Sequence, residues 1–582
     1  MALGEDLQEH LKKVYRQSFE RLDREGRIEE AVFVLAELLK ARQEALDYLE
    51  KHERYRQAAD LALAWDMQAS VIVRLLCLAE DWQRAVQVAR RDNAFADAVL
   101  LLESKQPETA NRLRLEWAQA LTDKGLWLQA VEVIWSVPGQ RERAAQWLLA
   151  AEAAGGSLAI GALVKRAILL PDTLVAQRSL IENLRDDPGR AADRTTLAQE
   201  LLAHKGNPSP QLALLAAAMV RAIIHDRAVA PSPLSQNQLQ TLVKMSRDKL
   251  LQADLPSGGL PRHPVNACGL EHRSDPLALA APEAGHRAIL DAVPLSDGRY
   301  LLALGEAGAL VIEGNGKPAF HFPVPTQQIV LGHSRQVALA LANRGEVWRV
   351  CKLDLVNRSA NDLGVLMLDA FSSLFDGSAW TIARGRQLRV VDVDQRFETL
   401  WHVGDLPGTV ERIYDDAHNE TAVLRTREGI ELWHYRLPDH RLLGRDPAPE
   451  REFKYGWQVF NARGQATELR LKYSEDTDTV LVVRQASASK GYRLPGLVEE
   501  SEDPLLVHCS DAWLIAGYTV AGAETCWRFI HRNRDQLCAE LRWPLQHAQL
   551  RSIGEHWLLF DHEGRLLHID SATSMVHSVS VK

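Results

Sequence analysis

The sequence is poor in cysteine and has no excess of basic residues. Its six cysteines are scattered between Cys77 and Cys538 without a CxxC pair, which predicts free thiols in a reducing compartment. Acidic residues outnumber basic ones by 77 to 68, for a net charge of −9. Since binding to phosphate-rich surfaces is driven by clustered Lys and Arg, we expect no nucleic acid or anionic membrane surface as a partner.

Long apolar runs are also absent from the sequence. No stretch reaches the roughly 18 apolar residues that suggest a membrane-spanning helix. The start, MALGEDLQEHLKKVYRQ, is charged and lacks the apolar segment of a signal peptide. We therefore expect a cytoplasmic protein that does not insert into a membrane.

Recognisable catalytic motifs are missing as well. There is no G-x-S-x-G, no Gly-rich nucleotide fingerprint and no Walker motif, and EGNGKP (313–318) predicts a tight turn instead of a phosphate loop. DHEGRLLH brings His562, Glu563 and His568 close together, but their spacing is wrong for the HExxH of a zinc helix. We predict that these three are solvated turn residues.

Two other stretches contain the residue types that bind metals. CWRFIHRNRDQLC (526–538) has two thiols and His531, and Cys526 and Cys538 should lie on adjacent strands, without an evident fourth ligand. YSEDTDT (473–479) has the acids of a calcium loop without its glycine or its ordered spacing, and predicts an exposed acidic loop. We therefore assign no catalytic, cofactor-binding or metal-binding residue and no cofactor, and the binding residues stay unknown.

The first part of the chain is predicted to be helical, with Leu and Ala at three- and four-residue spacing. A large residue precedes an alanine by three positions at five places, and the first three alanines are 27 residues apart. Positions i and i+3 share a helix face, so the large side chain can fill a gap while the alanine admits the neighbouring helix. This repeat predicts an α-solenoid of helical hairpins, with an irregular helical bundle as the alternative. The pairs are Ile28 with Ala31, Tyr55 with Ala58, Trp82 with Ala85, Phe95 with Ala98, and Trp127 with Ala130.

The pattern changes at ADLPSGGLPRHPVNACG (253–269), where three prolines and three glycines interrupt the helical periodicity. Beyond it, apolar strands alternate with glycine-containing turns, as in β-hairpins. Seven such glycines recur at an average of roughly 43 residues, the length of a four-stranded propeller blade. They are Gly308, Gly345, Gly385, Gly429, Gly491, Gly522 and Gly564.

These patterns predict a multidomain α and β protein, as expected for 582 residues. An α-helical repeat domain occupies 1–252, a Pro/Gly-rich linker with a leading strand 253–285, and a β-propeller of about seven blades 286–582. Six or eight blades and a pair of β-sandwiches are the alternatives. YGWQVFNARGQATELRLKY (455–473) is expected to add a strand pair to the long fifth unit. MVHSVSVK (575–582) is expected to complete the last blade by joining the first strands.

The combination of a helical array with a propeller that has no WD signature resembles the bacterial β-propeller proteins called bpX. Those proteins accompany a MoxR-type AAA+ ATPase and a von Willebrand A-domain protein. The resemblance is one of architecture, covers mainly residues 265–582 and has no invariant motif behind it. It implies an adaptor or sensor in an NTP-dependent stress or defence assembly (a ternary system), with the ATPase as a separate partner.

The sequence thus predicts a non-catalytic protein-interaction scaffold or adaptor, because a solenoid and a propeller both offer large binding surfaces. One alternative is a propeller-based ligand sensor or enzyme with its site in the central channel. Another is a self-assembling structural component. The sequence leaves open the oligomeric state, the partner and the face that binds it.

Overall fold

A computed structural model describes residues 2–206, 208–255, 259–264, 268–448, 456–461, 463–473, 478–485, 487–497, 505–520, 524–544 and 548–582. Within these residues sixteen α-helices precede thirty strands, and the strands form a seven-bladed β-propeller. The predicted fold class, a helical repeat array followed by a propeller, is confirmed.

Internal contacts divide the chain into two compact units. The first comprises residues 1–121 and 132–140, and the second comprises 122–131 and 141–582. The second unit therefore contains the later helices as well as all the strands. The domain boundaries at 252 and 285 stay a prediction.

The helices are mostly short, as expected for a hairpin array. They are α1 (Ala2–Arg24), α2 (Ile28–Phe33), α3 (Arg42–Lys51), α4 (Tyr55–Ala64), α5 (Ala69–Leu78), α6 (Trp82–Asp92), α7 (Phe95–Glu103), α8 (Pro107–Asp123), α9 (Trp127–Trp135), α10 (Arg141–Ala154), α11 (Gly156–Leu169), α12 (Arg178–Asp186), α13 (Ala191–Ala203), α14 (Pro210–Val229), α15 (Gln236–Ser246) and α16 (Lys249–Asp254).

The five predicted pairs mark helix starts. In each pair the large residue is the first residue of its helix, and the alanine is fully buried at 0% exposure. The alanine N–H donates to the carbonyl just before the helix, which makes it the first hydrogen bond of that helix. The residue two positions before each large residue is left-handed, with φ between 51 and 76°. These left-handed residues are Gly26, Glu53, Glu80, Asn93 and Gly125.

The alanines leave room for close helix packing, and the large residues differ in burial. Phe95 and Trp127 are 3% and 5% exposed, whereas Trp82 is half-buried and lies under the Arg112 guanidinium, 4.1 Å from the ring centroid. Helix α5 contacts α4, α6 and α7 and carries the buried Cys77. Burial raises the pKa of the Cys77 thiol to about 12, which suits an unreactive free thiol.

The strands begin after the helices and continue to the end of the chain. They are β1 (Leu277–Ala280), β2 (Asp291–Pro294), β3 (Tyr300–Ala303), β4 (Ala309–Ile312), β5 (Pro318–Phe322), β6 (Gln328–Gly332), β7 (Val337–Asn343), β8 (Trp348–Asp354), β9 (Ser359–Leu366), β10 (Ala370–Phe371), β11 (Leu374–Phe375), β12 (Ala379–Arg384), β13 (Gln387–Asp392), β14 (Glu398–Val403), β15 (Thr409–Asp415), β16 (Asn419–Thr426), β17 (Gly429–Arg436), β18 (Arg441–Ala448), β19 (Gly456–Phe460), β20 (Ala466–Lys472), β21 (Thr479–Gln485), β22 (Ala488–Leu494), β23 (Leu506–Cys509), β24 (Trp513–Val520), β25 (Glu524–His531), β26 (Gln536–Pro544), β27 (Gln549–Ile553), β28 (His556–Phe560), β29 (Arg565–Asp570) and β30 (Met575–Ser580).

Seven antiparallel sheets follow one another along the chain as blades. Blade 1 is β2–β5, blade 2 is β6–β9 with β11 added in parallel to β6, and blade 3 is β10 with β12–β14. Blades 4 and 5 are β15–β18 and β19–β22, blade 6 is β23–β26 with β1 at its outer edge, and blade 7 is β27–β30. The strand pair expected within 455–473 is present as β19 and β20.

The predicted hairpin glycines locate most of the blades correctly. Five of them lie at the turn between the second and third strands of a blade, all with positive φ: Gly308, Gly345, Gly385, Gly429 and Gly564. Gly491 instead lies within β22, because the fifth predicted hairpin joins the third and fourth strands of its blade. Gly522 lies outside the described residues.

The chain just before blade 1 connects three blades. We call residues 268–289 the closing segment. Its β1 pairs in parallel with β26 of blade 6, and the N–H of Leu270 donates to the Ser571 carbonyl of blade 7 at 2.7 Å. Nearer blade 1, the N–H of His286 donates to the Val581 carbonyl at 2.8 Å. MVHSVSVK does complete blade 7, but it does so as β30 paired with β29, and the described part of that sheet contains none of the first strands.

Within the second unit, residues 122–131 and 141–158 lie against turns of blades 1, 2 and 3. The ammonium group of Lys352, which is 8% exposed, donates to the carbonyls of Asp123 and Gly377 and to the Asp394 carboxylate, each at 2.7 Å. A Cβ on Gly377 would lie 2.6 Å from the Lys124 Cα, so this close approach requires glycine. The turns on this side of blades 1–3 are thus occupied by the chain's own helices.

Candidate functional site

A groove of about 740 Å³ lies between the outer strands of blades 3 and 4. One side is formed by Trp401 and Val403 of β14 and by the following loop, which contributes Asp405. The other side is formed by blade 4. We call this the aromatic groove. Its blade 4 residues are Glu431, Trp433, Tyr435, His440, Leu442 and Arg445.

The backbone of blade 4 explains why these side chains share one face. Glu431, Trp433 and Tyr435 alternate along β17, and alternate residues of a strand point to the same side of the sheet. A β-bulge in the pairing of β17 with β18 then places Leu442 opposite Tyr435 and Arg445 opposite Trp433. Because the bulge inserts one residue, two β18 positions that are three apart in sequence both reach the groove.

The rings of the groove contact one another across the seam between the blades. Trp401 and Tyr435 meet edge to face with centroids 5.3 Å apart, and His440 lies 5.2 Å from Trp401. Trp433 donates its indole N–H to a Glu431 carboxylate oxygen at 2.8 Å, which fixes the ring. Such edge-to-face pairs stabilise a seam beyond the area that they bury.

The charged groups of the groove are largely uncompensated. Arg445 is exposed and lies over Trp433, with its guanidinium carbon 3.9 Å from the ring centroid. Within the described residues, neither the Arg445 guanidinium nor the Asp405 carboxylate forms a hydrogen bond or an ion pair. Glu431 accepts only from Trp433 and has no cation partner there. The groove therefore presents two carboxylates, one guanidinium and three aromatic rings.

A polar cluster lies beneath the groove, where blade 4 contacts blade 3. Glu420 is 2% exposed, and one of its carboxylate oxygens accepts from the Ser372 hydroxyl at 2.8 Å. The other oxygen has no hydrogen-bond partner and lies 3.9 Å from His440 Nε2. The hydroxyl of Tyr435, the cross-strand neighbour of Glu420, is also buried without a partner.

The pKa values of this cluster are set mainly by burial. Burial raises the pKa of Glu420 to about 7. Burial together with the nearby Glu420 raises the pKa of Asp415 to about 6. Burial also lowers the pKa of His440, so that its imidazole is neutral near neutral pH.

The ring nitrogens of His440 are engaged inside the protein. Nδ1 lies 3.1 Å from the Pro438 carbonyl and Nε2 lies 3.3 Å from the Thr381 hydroxyl. A general base must reach the proton that it removes. In this geometry His440 supports the wall of the groove and presents neither nitrogen to a ligand in it.

All three residues singled out in DHEGRLLH were expected in a solvated turn, and the structure places one of the two histidines elsewhere. His562 is exposed and Glu563 pairs with Arg565, as turn residues do. His568, however, lies in β29 at 8% exposure, bonded to the Tyr300 hydroxyl at 2.9 Å and to His556 Nδ1 at 3.1 Å. Burial and the nearby histidines lower its pKa to about 3. The prediction is wrong for His568, because the strand begins three residues earlier and carries it into a blade.

The other stretches with metal-ligand residue types do not come together. Cys526 lies on β25 opposite Arg542 of β26. Cys538 lies on β26 near the other end of the same hairpin. The predicted tight turn at 313–318 joins β4 to β5. Residues 474–477 of the predicted acidic loop lie outside the described residues. Across the described ranges, no group of three or more His, Cys, Asp or Glu side chains could hold a metal ion.

The innermost strands place polar groups in mutual contact. Arg551 of β27 donates to the carbonyls of Ile329 and Ser373 at 3.0 and 3.3 Å. Its guanidinium also lies 3.5 Å from the buried Asp291 carboxylate. The Arg551 side chain thus ties blade 7 to blades 1 and 2.

Sequence reasoning missed the aromatic groove. The signal that was available is the alternation Glu-Leu-Trp-His-Tyr at 431–435, which places two aromatic rings and an acid on one strand face. Aromatic rings are common at seams between packed sheets, and Trp401 lies at one. What the sequence did not indicate is the bulge that brings Arg445 over Trp433.

No helix in the part of the chain that the structure describes is long and apolar enough to cross a membrane.

Comparisons with known proteins find similar chains among solved structures. No family model matches the sequence, and no curated protein matches it. One similar structure is BamB from Moraxella catarrhalis, with 13% identity over 50% of this chain and 92% of that chain and a TM-score of 0.29. A second is hydrazine synthase of Kuenenia stuttgartiensis, with 10% identity over 50% and 97% and a TM-score of 0.32. A third is the β-propeller domain of the Trilobed protease from Pyrococcus furiosus, with 9% identity over 49% and 94% and a TM-score of 0.32. Similarity this low transfers no activity and no partner to this chain.

Proposed function

We propose that this chain is a non-catalytic protein-interaction scaffold and that its aromatic groove is a docking surface for a partner protein. The observation that carries the proposal is the lining of one open depression: the half-buried Trp401 and the exposed Arg445 over Trp433, with the buried Tyr435 behind them. Trp, Tyr and Arg are the residues that most often supply the binding energy of protein interfaces.

Apolar exposure next to the groove supports the same function. Leu442 and Leu443, consecutive on β18, are 38% and 57% exposed. A rim of this kind can exclude water around a central aromatic contact. The groove is also open and holds no nucleophile and base within bonding distance of each other among its lining residues, which favours binding over chemistry.

The turns of blades 1–3 are already covered by the chain's own helices, so a partner protein has fewer propeller surfaces to bind. Residues 122–131 and 141–158 already pack there, held by Lys352 and by the Lys124–Asp376 ion pair at 2.8 Å. The aromatic groove lies on the outer strands of blades 3 and 4 and is not part of that contact. We extend the proposal to a cytoplasmic adaptor whose partners are a MoxR-type AAA+ ATPase and a von Willebrand A-domain protein.

The test is affinity capture of the tagged full chain from its native cells, with and without ATP, read by quantitative mass spectrometry. We expect stoichiometric recovery of a defined partner set, and a loss of at least tenfold with Trp401→Ala. The matched control is Trp348→Ala, since Trp348 is also half-buried and also meets an aromatic ring (Phe371, centroids 5.6 Å apart) at a blade seam.

The possible outcomes test the groove, the scaffold function and the identity of the partners separately. Equal loss in both tryptophan variants, at equal melting temperatures, would contradict the groove as the docking surface. A chain that emerges without any partner in either condition would contradict the scaffold function. Recovery of partners other than an ATPase and a von Willebrand A-domain protein would contradict only the adaptor assignment.

A further inference from the structure

We infer that the aromatic groove recognises a cationic side chain, an arginine or a lysine, presented by an exposed segment of the partner protein. This inference rests on the proposed function in taking the groove as the docking surface. It adds the chemistry of the group that enters. Three features of the groove support it: its rings, its carboxylates and the position of Arg445.

The rings provide negatively polarised faces. Trp401, Trp433 and Tyr435 line one depression from two blades, and the face of an aromatic ring attracts cations. Trp433 is held by its hydrogen bond to Glu431, so that its orientation costs little to maintain on binding. Since Tyr435 is 1% exposed and Trp433 5%, the place where a cation can meet a ring is the one over Trp433 that Arg445 occupies.

The carboxylates give the groove a net negative charge. Asp405 and Glu431 lie at its edge without a cation partner among the described residues, and His440 is neutral because burial lowers its pKa. Among the residues that line the groove, Arg445 is the one cation against these two charges. An incoming cation would pair with the carboxylates, whereas an incoming anion would meet two like charges for each opposite one.

Arg445 shows that a guanidinium fits the groove. Its guanidinium carbon lies 3.9 Å from the Trp433 centroid, and the group forms no hydrogen bond or ion pair with the described residues. The contact with the ring is therefore what holds it, and the side chain is exposed and free to swing out. A partner's cation can take its place over Trp433 and gain the carboxylate contacts that Arg445 does not make.

The experiment uses calorimetric titration of the full chain with three short peptides. They are acetyl-Gly-Arg-Gly-amide, the same peptide with citrulline in place of arginine, and the same peptide with glutamate. Citrulline is the neutral counterpart of arginine with nearly the same shape. We expect the arginine peptide to bind at least about tenfold more tightly than either of the others, with an affinity that falls as salt is added.

Two variants make the result specific to the groove. Asp405→Asn combined with Glu431→Gln should weaken the arginine peptide about tenfold, and the exposed pair Glu346→Gln with Glu428→Gln is the control of equal charge change. Arg445→Ala should tighten the arginine peptide about threefold, because it removes the competing guanidinium. All these positions are exposed or half-buried, and thermal melting verifies that each variant is folded.

Arg445→Ala also distinguishes the opposite chemistry. If Arg445 anchors a carboxylate, the glutamate peptide binds and Arg445→Ala abolishes that binding, which overturns the inference. Equal binding of the arginine and citrulline peptides overturns it as well, since charge would then play no part. If no peptide binds while Trp401→Ala still loses the captured partner, the inference fails and the proposed function stands.

Discussion

Glu420 is a carboxyl group enclosed between two blades with one oxygen left without a partner. Its pKa is raised by burial to about 7 from the ordinary 4.5, so the folded protein binds this proton more tightly than the unfolded chain does. For a raised carboxyl the stability is greatest at low pH and falls as pH rises from about 4.5 to 7. Asp415, raised to about 6 from 3.8, changes stability in the same direction.

Glu420→Gln should remove this pH dependence, because glutamine keeps the shape of the protonated acid and cannot ionise. We expect the difference in unfolding free energy between the variant and the wild type to shift in favour of the variant by about 2 kcal/mol from pH 5 to pH 8. Denaturant unfolding at the two pH values measures it, with the exposed Glu428→Gln as the control. The same gap at both pH values would mean that Glu420 does not change its protonation state between pH 5 and pH 8 in the folded protein.

At the scale of elements, the helical array repeats one arrangement of residues at the start of a helix, which we call the helix-start motif. A left-handed residue, a large first residue and a fully buried alanine recur in the same order at five helices. The left-handed residue reverses the chain direction, and the alanine allows the next helix to approach. Each motif therefore sets where a helix begins and how closely it packs.

Helix α7 offers a direct test of this motif. Phe95→Ala should destabilise the array by about 3–5 kcal/mol, because it leaves a cavity at a side chain that is 3% exposed. Ala98→Leu should cost about 1–3 kcal/mol by overpacking a fully buried position. Hydrogen exchange of the α7 amides measures both. Leu100→Ala, at a position of the same helix that is 66% exposed, should change them by less than about 0.5 kcal/mol.

Some of these elements could be predicted from the sequence and others could not, for physical reasons. The alanines at 31, 58 and 85 are readable, since the small residue is demanded by packing and recurs at a fixed interval. The left-handed conformation of Glu53, Glu80 and Asn93 is not, because no glycine marks these three turns and the fold imposes the φ value. Hairpin glycines located five blades, whereas blade 5 was misaligned by one strand because the sequence has no glycine between β20 and β21 and Gly491 lies within β22.

The aromatic groove was beyond prediction for a related reason. It is shared by strands of two blades, so its walls meet only through the tertiary arrangement. Trp401 and Trp433 are 32 residues apart in the sequence, and the position of Arg445 depends on a bulge in the pairing of β17 with β18. Aromatic residues are common at seams between packed sheets, and the structure specifies which of them leave an opening.

The closing segment determines the integrity of the propeller at the scale of the whole molecule. Leu270 is fully buried in a cluster with Trp513, Trp527 and Trp557, although it precedes the first blade strand. Blades 6 and 7 thus depend on residues from the other end of the propeller sequence.

Leu270→Ala should destabilise the propeller as much as a substitution inside a blade, by about 2–5 kcal/mol. Leu541→Ala, at a fully buried position of β26 in the same cluster, is the internal standard. Leu250→Ala, at a site 76% exposed, should have no measurable effect. Thermal unfolding followed by tryptophan fluorescence compares the three. A Leu270 variant that melts like the wild type would contradict a closing role.

The closing segment also has a consequence for biosynthesis. Leu270 leaves the ribosome before any blade, yet its hydrogen-bond partner Ser571 emerges about 300 residues later. Pairs this distant in sequence are slow to form, and domains generally fold in the order of synthesis. The helices that precede the blades can fold while translation continues, whereas the closing segment must wait, unpaired, until the last strands are released. The time between these two events is when the nascent chain most needs a chaperone.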